Sequence, residues 1–291
     1  MNIQIIQVPY DSGHLKARQG LGPEHFIEHG LVARLKAGGH KVEVSTVTSS
    51  AAFPTEVAVA FELNGLLAKE VKKAKDRGRF PVVLSGNCNS GLGTMGGLNR
   101  PDLGVVWFDA HGEFNTPDTT TSGWLDGMPL TMATGRCWKA MLKTIPGFTP
   151  IPEQNIILMG ARDLDPAEGG LLRESKIQVI HTQSEVLETN LAKLRQALES
   201  LKNRTSGVYL HIDMDVLDLA GGRANSLHPP GGITPQDMMI YIDAVAEACP
   251  VLACGVASYD PALDIDRSAL EAGMVAIERI INNVKDAKHP K

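Results

Sequence analysis

No run of lysines or arginines interrupts this 291-residue sequence, and its net charge is −5. A chain without a basic patch cannot neutralise a phosphate backbone or an anionic lipid surface. Nucleic acid and membranes are therefore excluded as expected partners, leaving a small-molecule substrate. The sequence also lacks an apolar run long enough to cross a bilayer, and its opening, MNIQIIQVPYDSG, has neither a charged n-region nor a cleavage signal. Cysteine is scarce. The four, at 88, 137, 249 and 254, form no paired framework, which points to a reducing, cytoplasmic setting. Repeats, low-complexity tracts and linkers are absent as well, so one domain over 1–291 is expected. At 43% hydrophobic residues it has ample material for a core.

What is present is an alternation of short apolar strands and amphipathic helices. Strands are predicted at Asn2–Val8, Lys41–Val47, Phe80–Leu84, Gly104–Phe108, Asn155–Gly160, Ile177–Ile180, from Val208, and at Val251–Ser258. A helix starting at Pro23 carries the stripe Phe26, Ile27, Leu31 and Leu35. Others cover Glu56–Lys75, Leu187–Leu201, a segment capped by Thr234, and Ser268 to about Val284. This order predicts an α/β fold: a single three-layer α/β/α domain with a mostly parallel sheet of about eight strands.

The chemistry gathers where those strands end. The strand closing at Phe108 runs into Asp109, His111 and Glu113, two residues apart, a spacing that puts them on one face of an extended backbone. Two carboxylates and an imidazole facing one way suit a divalent metal. The pattern recurs at His211, Asp213 and Asp215, and buried paired carboxylates need a cation or a good set of donors. Cys88, in the turn Ser85–Gly91, and Asp163 with Asp165 follow two further strands. Gly86 and Gly91 suggest a phosphate loop at first glance, but no lysine follows them. Ligand sites in parallel sheets lie beyond the carboxyl ends of the strands, so four such ends point to one composite site.

These stretches resemble the arginase/agmatinase (ureohydrolase) family over nearly the whole chain. Asp-Ala-His-Gly-Glu at 109–113 resembles the family's Asp-Ala-His-x-Asp, and 213–218 resembles its Asp-x-Asp-x-x-Asp. Ser85–Ser90 falls where the family has Gly-Gly-Asp-His-Ser, and Gly20–Pro23 fits its N-terminal Gly-Pro turn. The resemblance implies an arginase-like fold and a binuclear manganese site, two Mn²⁺ per chain, activating a bridging water. Asp109 and Asp213 would bridge the ions, Cys88 and Glu113 would complete one, and His111 and Asp215 the other. Asn115 and Ser122 lie in a run similar to the loop that holds a substrate carboxylate, and Asp165 matches the acid that faces an α-amino group. The family also implies a homo-oligomer, trimer or hexamer.

The departures bear on substrate and mechanism. Cys88 stands for a usual His ligand, which opens Zn²⁺ or Fe²⁺ as alternatives because a thiolate is soft. Relatives that hydrolyse N-hydroxyarginine carry a similar Cys and a similar Phe-Asn-Thr-Pro-Asp-Thr-Thr run. Asp126 occupies the place of a His proton shuttle. His211, sharing a face with Asp213 and Asp215, either replaces that shuttle or is a hydrogen-bonding His. Trp124 replaces a substrate-contacting Asn, His228 lies in a Pro/Gly loop beside the site as a candidate contact, and Ser258 replaces a Glu that pairs with guanidinium. A buried guanidinium needs a carboxylate, so arginine itself is disfavoured. The expectation is a metal-dependent hydrolase of a non-peptide C–N bond in a guanidino, amidino or formimidoyl group of a modified amino acid. The alternative is a catalytically degenerate relative acting as a regulatory or ligand-binding subunit.

Overall fold

The computed structural model describes the backbone of residues 1–51, 55–182 and 186–288, with side chains described up to residue 284. Ten strands form in chain order: β1 (Asn2–Val8), β2 (Tyr10–Asp11), β3 (His14–Leu15), β4 (Lys41–Thr46), β5 (Phe80–Ser85), β6 (Leu103–Phe108), β7 (Ile156–Met159), β8 (Gln178–Ile180), β9 (Gly207–Asp213) and β10 (Val251–Ala257). Eight of them make one sheet in the order β4-β1-β5-β10-β9-β6-β7-β8. Every pairing in it is parallel, and β2 and β3 form a separate antiparallel hairpin that the sequence did not signal.

Alternation along each strand divides the core in two. Val82, Leu84, Leu210 and Ile212 face helices carrying Phe26, Leu194, Ile242 and Ile277. Val83, Trp107 and Tyr209 face the opposite layer, packed with Leu67, Val71, Leu92 and Met95. The strands of the sheet centre are apolar on both faces because both faces are covered. Among the described residues, no helix is long and apolar enough to cross a membrane.

The helix expected from Pro23 through Leu35 is in fact two, Gly22–Glu28 and Leu31–Ala37. Gly30 separates them at φ +98°, a left-handed backbone that glycine adopts without strain. The remaining long helices match expectation: Glu56–Asp76, Leu187–Lys202, Pro235–Ala248 and Ser268–Lys288. Thr234 caps the third of these by accepting a hydrogen bond from Asp237 N.

Candidate metal centre

Five adjacent strands, β5, β10, β9, β6 and β7, end on the same side of the sheet. Past β5 the chain enters a tight turn at Gly86, where an added Cβ would lie 2.1 Å from Tyr10 O, so only glycine fits. That turn delivers Cys88, buried at 1% exposure, to the sheet axis. Side-chain alternation sends Trp107 and Asp109 from β6, and Tyr209, His211 and Asp213 from β9, to the same face.

Sequence spacing holds only part of the way. Extended backbone continues as far as His111, which pairs with Asp163, but Glu113 sits at φ +54° as the chain turns away. On the second stretch the strand stops at Asp213. Asp215 then lies on the helical turn Met214–Val216, its N–H donating to Asp213 Oδ1 at 2.9 Å. The turn, rather than an extended i+2 register, brings Asp215 to the site.

Two ligand groups result. Cys88, Asp109 and Asp213 offer donor atoms within 4.8 Å of one another, and so do Asp109, His111 and Asp215. Asp109 belongs to both, the arrangement a two-ion centre requires. Glu113 is buried beside them with Oε2 lacking any hydrogen-bond partner, a vacant acceptor aimed into a carboxylate cluster. Burial, then mutual repulsion, pushes the Glu113 and Asp213 carboxyls well above their ordinary range. Burial pulls His111 down, but Asp215 and Asp109 outweigh it and hold the imidazole well above its ordinary value. A donor set that resists ionisation until positive charge is supplied fits divalent cations.

His211 is not positioned as a shuttle. It is fully buried beneath Cys88, stacked on Trp107 at 3.6 Å between ring centroids, and does not line the cleft above. Its Nε2 lies 3.0 Å from Cys88 Sγ and its Nδ1 2.8 Å from Tyr209 OH. Burial drives its pKa down to about 3, so the ring is neutral. With Tyr209 O–H donating to Nδ1, Nε2–H donates to the sulfur. His228 likewise is not among the residues lining the cleft. Its Nδ1 accepts from Ala224 N at 3.0 Å and its Nε2 donates to Leu217 O at 2.6 Å, so both nitrogens serve the loop backbone.

Above the ligands opens a cleft of about 260 Å³, lined among others by Asn115, Ser122, Trp124, Asp126, Asp165 and Ser258. Asp126 accepts from Asn87 Nδ2 at 2.7 Å and Asn89 N at 2.9 Å, and burial raises its pKa to about 7. Asp165 accepts from Asn115 Nδ2 at 3.0 Å and from Thr121 Oγ1. Ser258 sits at φ +63°, uncommon for a residue with a side chain, with Oγ 3.4 Å from Cys88 Sγ. Trp124 is 47% exposed at the rim.

Three contributors escaped sequence reasoning. Arg162 donates to six carbonyls, those of Gly160, Asp215, Val216, Leu217, Pro229 and Pro230, and so ties the Asp215 turn to the facing loop. Asn225 Nδ2 donates to Asp215 Oδ2 at 3.1 Å and Ser258 O at 3.0 Å, joining two strand ends. Glu168 accepts from Phe114 N and Asp165 N, and burial raises its pKa to about 7. The Asp165-x-x-Glu168 spacing before a helix is a capping-box signature that signals this last one.

A parallel α/β sheet with a shared-carboxylate, two-ion donor set at its carboxyl edge defines a metallohydrolase of the binuclear type. Comparison with known proteins agrees. The Arginase family model matches residues 1–281. The arginase of Bacillus caldovelox is 32% identical over 277 residues, covering 90% of this chain and 92% of that protein. The arginase of Brevibacillus brevis is 29% identical over 297 residues, covering 97% and 98%. The solved structure of the Bacillus caldovelox arginase superposes with a TM-score of 0.86 at 28% identity, covering 96% of this chain and 97% of that one. Formimidoylglutamase from Bacillus subtilis shares the fold, with a TM-score of 0.77 at 17% identity over 98% of this chain and 87% of that one. The chain belongs to the Arginase family, whose members are binuclear-metal amidinohydrolases.

Proposed function

We propose that the protein hydrolyses a C–N bond in a guanidino, amidino or formimidoyl group of a modified amino acid, with Mn²⁺ as its metal. The observation that carries this reading is the pairing of two ligand groups sharing Asp109 with a buried Ser258 beside Cys88. The candidate ligand groups support metal-dependent hydrolysis, while position 258 offers an arriving guanidinium a hydroxyl rather than a carboxylate. Cys88, Asp109, Asp213 and Glu113 would hold one ion, and Asp109, His111, Asp213 and Asp215 the other. When bound, the ions lower the pKa of a shared water and polarise the planar carbon it attacks.

The chain's own groups do the rest. His211 Nε2–H and the Ser258 hydroxyl are the donors that a thiolate at Cys88 requires, so both are positioning residues for that sulfur. Asp126, fixed by Asn87 and Asn89 on the cleft wall, takes and returns the proton at its carboxylate oxygen, delivering it to the leaving nitrogen. Asp165 faces an α-amino group, held in place by Asn115 and Thr121. Ser122, on the same loop, is exposed to a substrate carboxylate. Trp124 covers the rim.

The test is a substrate panel on protein loaded with Mn²⁺, Zn²⁺ or Fe²⁺, comparing arginine, N-hydroxyarginine and formimidoylglutamate. At least tenfold higher kcat/KM for a modified substrate than for arginine is expected. Turnover of arginine equal to or better than every modified analogue refutes the substrate assignment. Less than about a tenth of an ion per chain in every loading refutes the enzyme reading and leaves a ligand-binding relative.

A further inference from the structure

Two imidazoles stand together outside the cleft and outside both carboxylate groups: His25 and His29. They lie four residues apart, on the helix Gly22–Glu28 and at its C-terminal cap, and so face each other across one turn. Their ring centroids are 3.8 Å apart, with the planes tilted by 40°. An ion held tetrahedrally by two imidazoles at about 2.0–2.1 Å keeps their nitrogens about 3.3 Å apart. Rings this close reach that separation by side-chain rotation, with no movement of the helix.

The rings are also in the state a cation requires. His29 Nδ1 lies 3.0 Å from His25 O. A carbonyl only accepts, so Nδ1 carries the hydrogen and Nε2 keeps its lone pair. A backbone carbonyl on the other ring nitrogen is the contact that orients many metal-bound histidines. His25 is partly buried, and burial, then His29 and Arg267, lowers its pKa, so this ring is neutral at pH 7. Among the described residues no hydrogen bond takes either of its ring nitrogens. Charge around the pair is mixed. Arg267 opposes a cation, whereas Glu28 and Asp264 favour one. The C-terminal end of the helix adds its own partial negative charge.

We infer that His25 and His29 form a second metal site, separate from the hydrolytic centre, which takes a borderline divalent cation such as Zn²⁺ or Cu²⁺ through one nitrogen of each ring. Imidazole donors favour these ions over Mn²⁺, the weakest binder of the first-row series. The site lies behind the cleft wall. His25 and Phe26 pack on the Tyr259 ring, at 5.9 and 5.4 Å between centroids, and Tyr259 follows Ser258 in the chain. Its occupancy does not depend on the hydrolytic reading.

The test is binding of untagged, Mn²⁺-loaded protein to immobilised Cu²⁺–iminodiacetate. The chelator keeps its ion out of the buried ligands at the sheet axis and leaves positions open for two adjacent imidazoles. Wild type should bind at least tenfold more tightly than His25→Ala or His29→Ala. His14→Ala removes an exposed histidine outside the pair and should match wild type. Zn²⁺ in the eluant should release wild type at a lower concentration than Mn²⁺ does. Wild-type affinity in either single variant, a tenfold loss in His14→Ala, or equal release by Zn²⁺ and Mn²⁺ overturns the proposal. Should an alanine variant lose the wild-type urea midpoint, His25→Gln and His29→Gln, which keep bulk but have no ring nitrogen, decide by the same criteria.

Discussion

Replacing Cys88 by histidine looks like a simple return to the usual family ligand, but the structure predicts that the single change fails. Cys88 Sγ has His211 Nε2 at 3.0 Å, Asp213 Oδ2 at 2.9 Å and Ser258 Oγ at 3.4 Å. Carbon atoms pack at about 3.5–4.0 Å, so ring atoms extending past the sulfur position would overlap the His211 ring. Overpacking of this kind costs about 1–3 kcal/mol. His211→Ala alone loses the stack on Trp107, about 0.5–1.5 kcal/mol, and a hydrogen bond to Tyr209 OH, another 0.5–1.5 or so. In the double variant the new imidazole enters the space the old one leaves. The clash is relieved, and a coupling of about 1–3 kcal/mol is expected in favour of the pair. Urea unfolding of the four chelator-treated proteins measures it without depending on metal, and elemental analysis after Mn²⁺ loading should find full occupancy restored only in the double. Additivity within about 0.5 kcal/mol, or a fully stable and metal-replete Cys88→His single variant, would show that His211 does not limit the room at this ligand.

Two further outcomes follow from the geometry. Asp126 and Glu168 have pKa values raised to about 7 by burial, against ordinary values of 3.8 and 4.5. The folded metal-free protein thus holds more protons than the unfolded chain between about pH 4.5 and 7, and its stability should fall as pH rises through that window. Because ions displace protons, Mn²⁺ should reverse the trend; thermal melts in chelator that are flat or rising from pH 5 to 7 would contradict this. His228→Ala should cost about 1–3 kcal/mol of stability, by leaving Ala224 N and Leu217 O unpaired. A rise in KM with no change in the urea midpoint would instead restore His228 as a substrate contact.

The elements were legible because they are dense in local signal. Buried strands such as Phe80–Ser85 and Gly207–Asp213 are continuous apolar runs, and Thr234 with Pro235 marks a helix start. The break at Gly30 was not, since glycine inside a helical stripe is compatible with either outcome until its φ is known. Within the site, spacing identified residues that share a face but not their depth. His211 and Asp213 occupy one side of β9, yet the first is sealed behind Cys88 and the second reaches the cleft. Arg162 was invisible for a different reason: its six partners are backbone carbonyls, which no side-chain pattern reveals. Asn225 lies in a loop whose path depends on Asp215 and Ser258 together.

Cys88, His211 and Ser258 look independent in sequence, separated by more than a hundred residues between the first two. In space they are one contact cluster centred on a sulfur atom. A thiol is shorter than an imidazole and leaves room behind it, which His211 fills. Burial pushes the Cys88 thiol well above its ordinary value and it donates to Asp213 Oδ2 at 2.9 Å; a thiolate formed there on metal binding would have His211 Nε2–H and Ser258 O–H at hand as donors. A carboxylate at 258 would instead lie against that sulfur, which Ser258 Oγ approaches at 3.4 Å, adding negative charge where burial already penalises it. On the proposed reading, a serine at 258 and a thiolate ligand at 88 are thus linked by electrostatics. On the proposed reading a cysteine ligand and a preference for a modified substrate share one physical origin, so Ser258→Glu should give arginine turnover only in a background where position 88 carries a neutral ligand.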